Sequence, residues 1–175
     1  MPVMEVPVVP MSVRTARRMI PLPFLPPPSP EEVQRLREGW QAELQEVQQR
    51  ESRPGEMDQL QVFIDWADDL LSKPQDASID AEVMTIALGD IALVLLPGES
   101  FVEFGLEIKQ RGVSPRIMTL AYANGRPGYI PHRLAYPAGG YEVEDAYRYY
   151  GYPACFAPEA GELIVETAVE LLASI

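Results

Sequence analysis

Three side chains stand where chemistry would be placed. Glu99 follows Pro97-Gly98 at the junction of an apolar run, Ile91 to Leu96, with a helix-like segment. Ligands gather at the carboxyl ends of strands in α/β sheets, and a carboxylate there can ligate a metal or act as a general base. It can equally do no more than charge a helix N-terminus favourably. Tyr129 follows Gly125 and Gly128, and Tyr141 follows Gly139 and Gly140. Glycine lets a backbone come close to a ligand or another chain. A phenol can donate to a developing oxyanion or bind a metal as phenolate; it can also be a packed ring with a satisfied hydroxyl. Tyr147, Tyr149, Tyr150 and Tyr152 form an aromatic cluster, read as a loop packed on the sheet or as the lining of an apolar groove. His132 is the single histidine and Cys155 the single cysteine. No two-histidine site, internal disulfide or thiolate cluster can be built from this chain. His132 reads as a hydrogen-bonded histidine and Cys155 as a small buried hydrophobe.

The elements that must position these residues are legible in the pattern. Residues 1–28 are a proline-rich extended segment, too apolar between Met19 and Leu25 for a free tail, and suited to an edge strand or polyproline II. Residues 29–74 read as a helical hairpin. Ser29-Pro30-Glu31-Glu32 is a helix start with a capping box. Val33, Leu36, Trp40, Leu44 and Val47 make one face of the first helix; Met57, Leu60, Ile64, Ala67 and Leu71 make one face of the second. Arg53-Pro54-Gly55 separates them and Lys73-Pro74 ends the pair. Asp65, Asp68 and Asp69 read as a solvated face. From residue 77 to 175 the texture is α/β. Strands over 82–88 and 91–96 flank Gly89-Asp90, a tight-hairpin signal. The second is apolar on both faces, which places it inside a sheet. A helix from Phe101 to Arg111, a strand from Arg116 to Tyr122, a mostly irregular stretch from Tyr129 to Pro158 and a helix from Glu159 to Ser174 complete the order. Ile164, Val165, Ala168, Leu171 and Leu172 face inward on that last helix. The fold class is α/β or α+β: a mixed sheet with flanking helices and an N-terminal helical hairpin, read as an incomplete domain.

Composition narrows the function. The chain has 175 residues, of which 47% are apolar, and a net charge of −12. Such a surface repels phosphate backbones, so nucleic acid is not an expected partner. No run of 18 apolar residues exists, so no transmembrane segment is expected. No signal-peptide pattern opens the chain, which as written looks cytoplasmic.

Four pieces in order carry a family resemblance: Gly89-Asp90 through Pro97-Gly98-Glu99, then Tyr122-Ala123-Asn124-Gly125, then Gly128-Tyr129-Ile130-Pro131, then Gly140-Tyr141-Glu142. From about residue 80 to the end, and weakly upstream, the chain resembles the neutral, non-lysosomal ceramidases, above all their bacterial members. Those enzymes hydrolyse the amide bond of N-acyl sphingoid lipids with one zinc ion held by two histidines, a glutamate and a tyrosine. The resemblance implies that Glu99 and Tyr129 are zinc ligands and that Tyr141 supports the tetrahedral oxyanion. It implies an N-acyl lipid substrate and an upstream catalytic segment as partner, because the family's zinc histidines, active-site serine and arginine lie before anything present here. His132 stands where the family carries threonine. Full-length relatives are often exported. The chain is thus expected to be the C-terminal part of a catalytic domain, a weak zinc binder and inactive alone. The other reading is a non-catalytic acidic α/β interaction module.

Overall fold

A computed structural model describes residues 12–50 and 53–175. Pro2, Pro7 and Pro10 of the proline-rich segment lie outside the described residues. Within the described part of that segment, Val13–Pro23 forms strand β1 at the edge of a four-stranded mixed sheet. β2 (Ser78–Leu88) pairs antiparallel with β1, from Val13 opposite Leu88 to Pro23 opposite Ser78. β3 (Ile91–Leu95) returns from β2 through Gly89, whose φ of 62° suits the two-residue turn. β5 (Arg116–Leu120) lies parallel to β3 on the far side, giving the order β1-β2-β3-β5. A separate two-stranded parallel ladder joins β4 (Glu99–Ser100) to β6 (Tyr129–Ile130).

Among the described residues four helices run to ten residues or more. α1 (Pro30–Val47) begins with the expected capping box: Glu32 N–H donates to Ser29 Oγ at 3.2 Å and Ser29 N–H to Glu32 Oε2 at 2.9 Å. α2 (Glu56–Ser72) packs antiparallel on it, as Arg37 pairs with Asp68 at 2.5 Å and Arg50 with Glu56 at 2.7 Å. The buried face of α2 is rotated from the sequence reading. Phe63 and Trp66 are buried with Leu60, Ile64 and Ala67, whereas Met57 and Leu71 are exposed. α6 (Pro158–Ser174) lies on β1 and β2, with Ile164, Val165, Ala168, Leu171 and Leu172 all buried. Beside it, α3 (Val102–Arg111) covers β5. No helix among the described residues is long and apolar enough to cross a membrane.

The core lies between α3, α6 and one face of the sheet: Leu22, Val83, Val94, Phe104, Ile108 and Ile164 are fully enclosed. β3 is inside the sheet, as its sequence requires, but only one of its faces is covered. Ala92 and Val94 are buried while Ile91, Leu93 and Leu95 are half-buried; next to them Met118 is 55% and Leu120 43% exposed. The long stretch from Tyr129 is also more ordered than its composition suggests. It holds β6, a 3-10 turn over Tyr136–Ala138, α4 (Tyr141–Glu144) and α5 (Ala146–Tyr149). Helices of one turn leave no periodic signal to read.

Candidate functional site

Glu99 and Tyr129 face each other across the β4–β6 ladder. Two glycines permit this. Gly98 has φ of 58°, and a Cβ there would stand 2.4 Å from the Gly128 carbonyl oxygen. That same oxygen accepts from Glu99 N–H at 2.8 Å. Any side chain at position 98 would push the two strands apart. The turn after β5 closes on the same place: Tyr122 N–H donates to the Gly98 carbonyl at 2.8 Å and Ala123 N–H to the Leu96 carbonyl at 3.0 Å. Tyr122 and Asn124 both take left-handed φ, 56° and 58°. The strand read as reaching Tyr122 therefore ends at Leu120. A left-handed residue cannot continue a ladder, and its backbone is committed to Gly98 instead.

The Glu99 carboxylate is the centre of a tyrosine cluster. Tyr150 donates its hydroxyl to Glu99 Oε1 at 2.9 Å. The hydroxyls of Tyr129 and Tyr122 also act on this carboxylate as donors. Partial burial pushes the Glu99 pKa up, but donation from Tyr129, Tyr122 and Tyr150, with the Arg126 charge nearby, outweighs it and the net shift is downward. The phenols respond in the opposite sense. Tyr129 is pushed up to about 12, first by its bond to Glu99 and then by burial. Tyr150 also rises to about 12, first by burial and then through Glu99. At neutral pH the cluster is one anion held by protonated phenols.

Tyr141 joins the group by ring contact. Its centroid lies 5.8 Å from that of Tyr129, edge to face, and its side is 46% exposed to solvent. The three residues singled out from the sequence are thus brought together. Sequence reasoning missed Tyr122, Tyr150 and Arg126 as neighbours of Glu99. The only signal was the density of tyrosines, which packing explains equally well.

His132 is elsewhere. It is buried beside Phe104, its Nε2 stands 3.0 Å from Glu107 Oε1, and Leu134 N–H donates to Nδ1 at 3.4 Å. This geometry leaves the proton on Nε2, facing the carboxylate. The ring shares with Glu107, Arg111, Arg133, Glu162 and Glu166 a cleft of about 330 Å³ between α3 and α6. Cys155 is buried, and desolvation pushes its thiol up to about 11.

Behind the cluster sits a buried arginine. The Arg148 side chain is 12% exposed. Its guanidinium lies 4.8–5.4 Å from the ring centres of Trp40, Phe63, Trp66 and Tyr147. It donates to the Glu144 carbonyl at 2.7 Å and to Asp145 Oδ1 at 2.5 Å.

Among the described residues no group of three or more histidine, cysteine, aspartate or glutamate side chains is placed to hold a metal ion. Glu99 and Tyr129 supply one carboxylate and one protonated phenol. Zinc takes four donors, chiefly imidazole, thiolate and carboxylate, so these two residues fit part of a zinc site and do not complete one.

No family model matches the sequence, and no curated protein does. Among the solved structures similar to the chain are two described as ceramidases. A structure described as ceramidase complexed with C2 aligns with a TM-score of 0.42 and 16% identity over 57% of this chain. The neutral ceramidase of Pseudomonas aeruginosa aligns with a TM-score of 0.46 and 16% identity over 92% of this chain. The chain spans 15% and 28% of the lengths of those two proteins.

Proposed function

We propose that this chain is one portion of a zinc-dependent amide hydrolase acting on an N-acyl lipid of the ceramide type. The observation that carries the reading is the convergence of Glu99, Tyr129 and Tyr141, separated in sequence, on one exposed point beside the ladder of β4 and β6. The sequence resemblance assigned these same three residues. In the complete site Glu99 and Tyr129 would hold zinc, which when bound activates a water and polarises the amide carbonyl. Tyr129 must first give up a proton that Glu99 now holds in place, so this chain resists metal until further ligands join. Tyr141, protonated and solvent-facing, donates a hydrogen bond to the oxyanion that develops on the carbonyl. The missing donors belong to a further polypeptide segment.

Zinc titration by calorimetry tests this. The chain alone binds zinc weakly and cleaves no N-acyl sphingoid amide. Adding a segment that carries two zinc histidines restores binding, and Glu99→Gln abolishes the gain. Zinc-dependent cleavage by the purified chain alone would overturn the reading.

A second reading, a non-catalytic module, draws on the uncovered sheet face of Met118, Leu120 and their neighbours. Contiguous apolar surface of that kind marks an interaction site. It is favoured if no histidine-bearing segment raises zinc affinity.

A further inference from the structure

The helical hairpin carries no residue of the candidate site, yet it is bonded to the segment that does. Trp40 on α1, with Phe63 and Trp66 on α2, encloses the Arg148 guanidinium from α5. Two lines of contact then run from the hairpin to Glu99. Phe63 meets Tyr149 at 5.7 Å, Tyr149 meets Tyr141 at 6.1 Å and Tyr141 meets Tyr129 at 5.8 Å. Trp66 Nε1 donates to the Tyr152 carbonyl at 2.7 Å, and Tyr152 stacks on Tyr150 at 5.9 Å.

The first line passes through Tyr149 of α5, a helix of four residues between α4 and a turn. The second is tied to α5 where the Tyr150 and Tyr152 N–H groups donate to the Tyr147 carbonyl at 3.2 and 3.1 Å. A helix so short has no stability of its own. Arg148 supplies what its length does not. One nitrogen bonds Glu144 and Asp145, which fixes the α4–α5 junction, while the planar cation lies against aromatic faces of the hairpin. Its Nε is buried without a hydrogen-bond partner. The group is thus held by rings and by one end of its fork.

We propose that Arg148 is a positioning residue of the Glu99 site: locked into the aromatic box of the hairpin, it sets α5 so that Tyr150 reaches Glu99 and Tyr149 braces Tyr141. The proposal rests on the reading of Glu99, Tyr129 and Tyr141 as the site. The hairpin is the clamp through which it acts.

Gly128 gives a local readout. A Cβ at this glycine would stand 2.7 Å from the Tyr150 ring, so one Gly128 α-hydrogen points at that ring. The ring displaces its proton resonance and gives a strong through-space contact in the NMR spectrum of the full chain. Arg148→Met is the informative substitution, because methionine keeps an apolar stem against the rings while removing the cation and its donors. It leaves the Asp145 carboxylate without its partner and lowers stability, so folding of the variant is checked first. The expected result is loss of the Gly128–Tyr150 contact and return of the Gly128 resonance toward its ordinary position. Leu171→Ala, in the distant core, lowers the unfolding midpoint and leaves the Gly128 signal in place. Should Arg148→Met fail to fold, Arg148→Lys is measured in its place; lysine lacks the planar fork, and the Gly128 resonance then moves part of the way. An unchanged Gly128 signal in the folded variant, or an equal change in Leu171→Ala, would overturn the proposal. Neither zinc nor hydrolysis enters the measurement, so it stands or falls apart from the hydrolase reading.

Discussion

Gly98→Ala tests whether the site depends on the close approach of two backbones. The residue lies at φ 58°, where an L side chain costs about 1–2 kcal/mol. Its Cβ would also stand 2.4 Å from the Gly128 oxygen, a backbone atom that cannot rotate away. That oxygen must move, and the Glu99 N–H bond it accepts weakens with it, at about 1 kcal/mol. The total is about 2–3 kcal/mol. Gly151→Ala is the matched control. Gly151 has φ of 68°, and nothing lies within 4 Å of a Cβ there, so it loses the conformational part alone. Urea unfolding of the two variants, followed by tryptophan fluorescence, gives the difference directly. A Gly98→Ala variant no less stable than Gly151→Ala would refute the argument, since the ladder would then have room that the geometry denies it.

Further expectations follow from the same cluster. Tyr150→Phe removes a donor from Glu99, so the Glu99 carboxyl titration, read by carbon NMR, moves upward; an unmoved midpoint would mean the bond at 2.9 Å is not made in solution. Because the folded Glu99 pKa is lowered, its contribution to stability is complete above the ordinary carboxylate value and is lost as pH falls through the folded value; Glu99→Gln flattens the acid limb of the stability profile. Tyr129 and Tyr150 are raised from 10.0 to about 12, so the stability they lend is complete below pH 10.0 and disappears as pH rises through about 12, visible as late tyrosinate absorbance. Cys155, raised from 9.0 to about 11, reacts with a disulfide reagent at pH 8 about a hundredfold more slowly in the folded chain than in urea, and equal rates would contradict its burial.

Local signals were the legible ones. The Ser29 capping box and the Gly89-Asp90 hairpin are settled by a few consecutive residues, and both formed where the pattern put them. The inward face of α6 follows from its spacing. Long-range choices were not legible. The rotated face of α2 meets partners far along the chain: Phe63 and Trp66 lie against Arg148, Phe63 also meets Tyr149, and Trp66 meets Tyr147 and donates to the Tyr152 carbonyl. The early end of β5 comes from the bond of Tyr122 to Gly98. The site divides in the same way. Glu99, Tyr129 and Tyr141 could be named from motif pieces, but their meeting depends on a contact between Gly98 and Gly128 that no spacing encodes. Tyr150 was hidden among similar residues, because a hydroxyl bonded to a carboxylate and one merely packed have the same letter.

The two margins of the four-stranded sheet are not equivalent. Even-numbered residues of β1 turn toward β2 and odd-numbered ones turn outward, as Leu25 N–H donates to the Cys155 carbonyl and the Pro23 carbonyl accepts from Ala157. Pro21 and Pro23 therefore present their missing N–H groups to the outside, and the last of that margin is already taken by the 155–157 stretch. The rim at β5 carries no proline from Arg116 to Leu120. Growth of the sheet by an added strand is thus polar: one flank is plugged by imino acids, while the other retains every amide it needs to accept a newcomer.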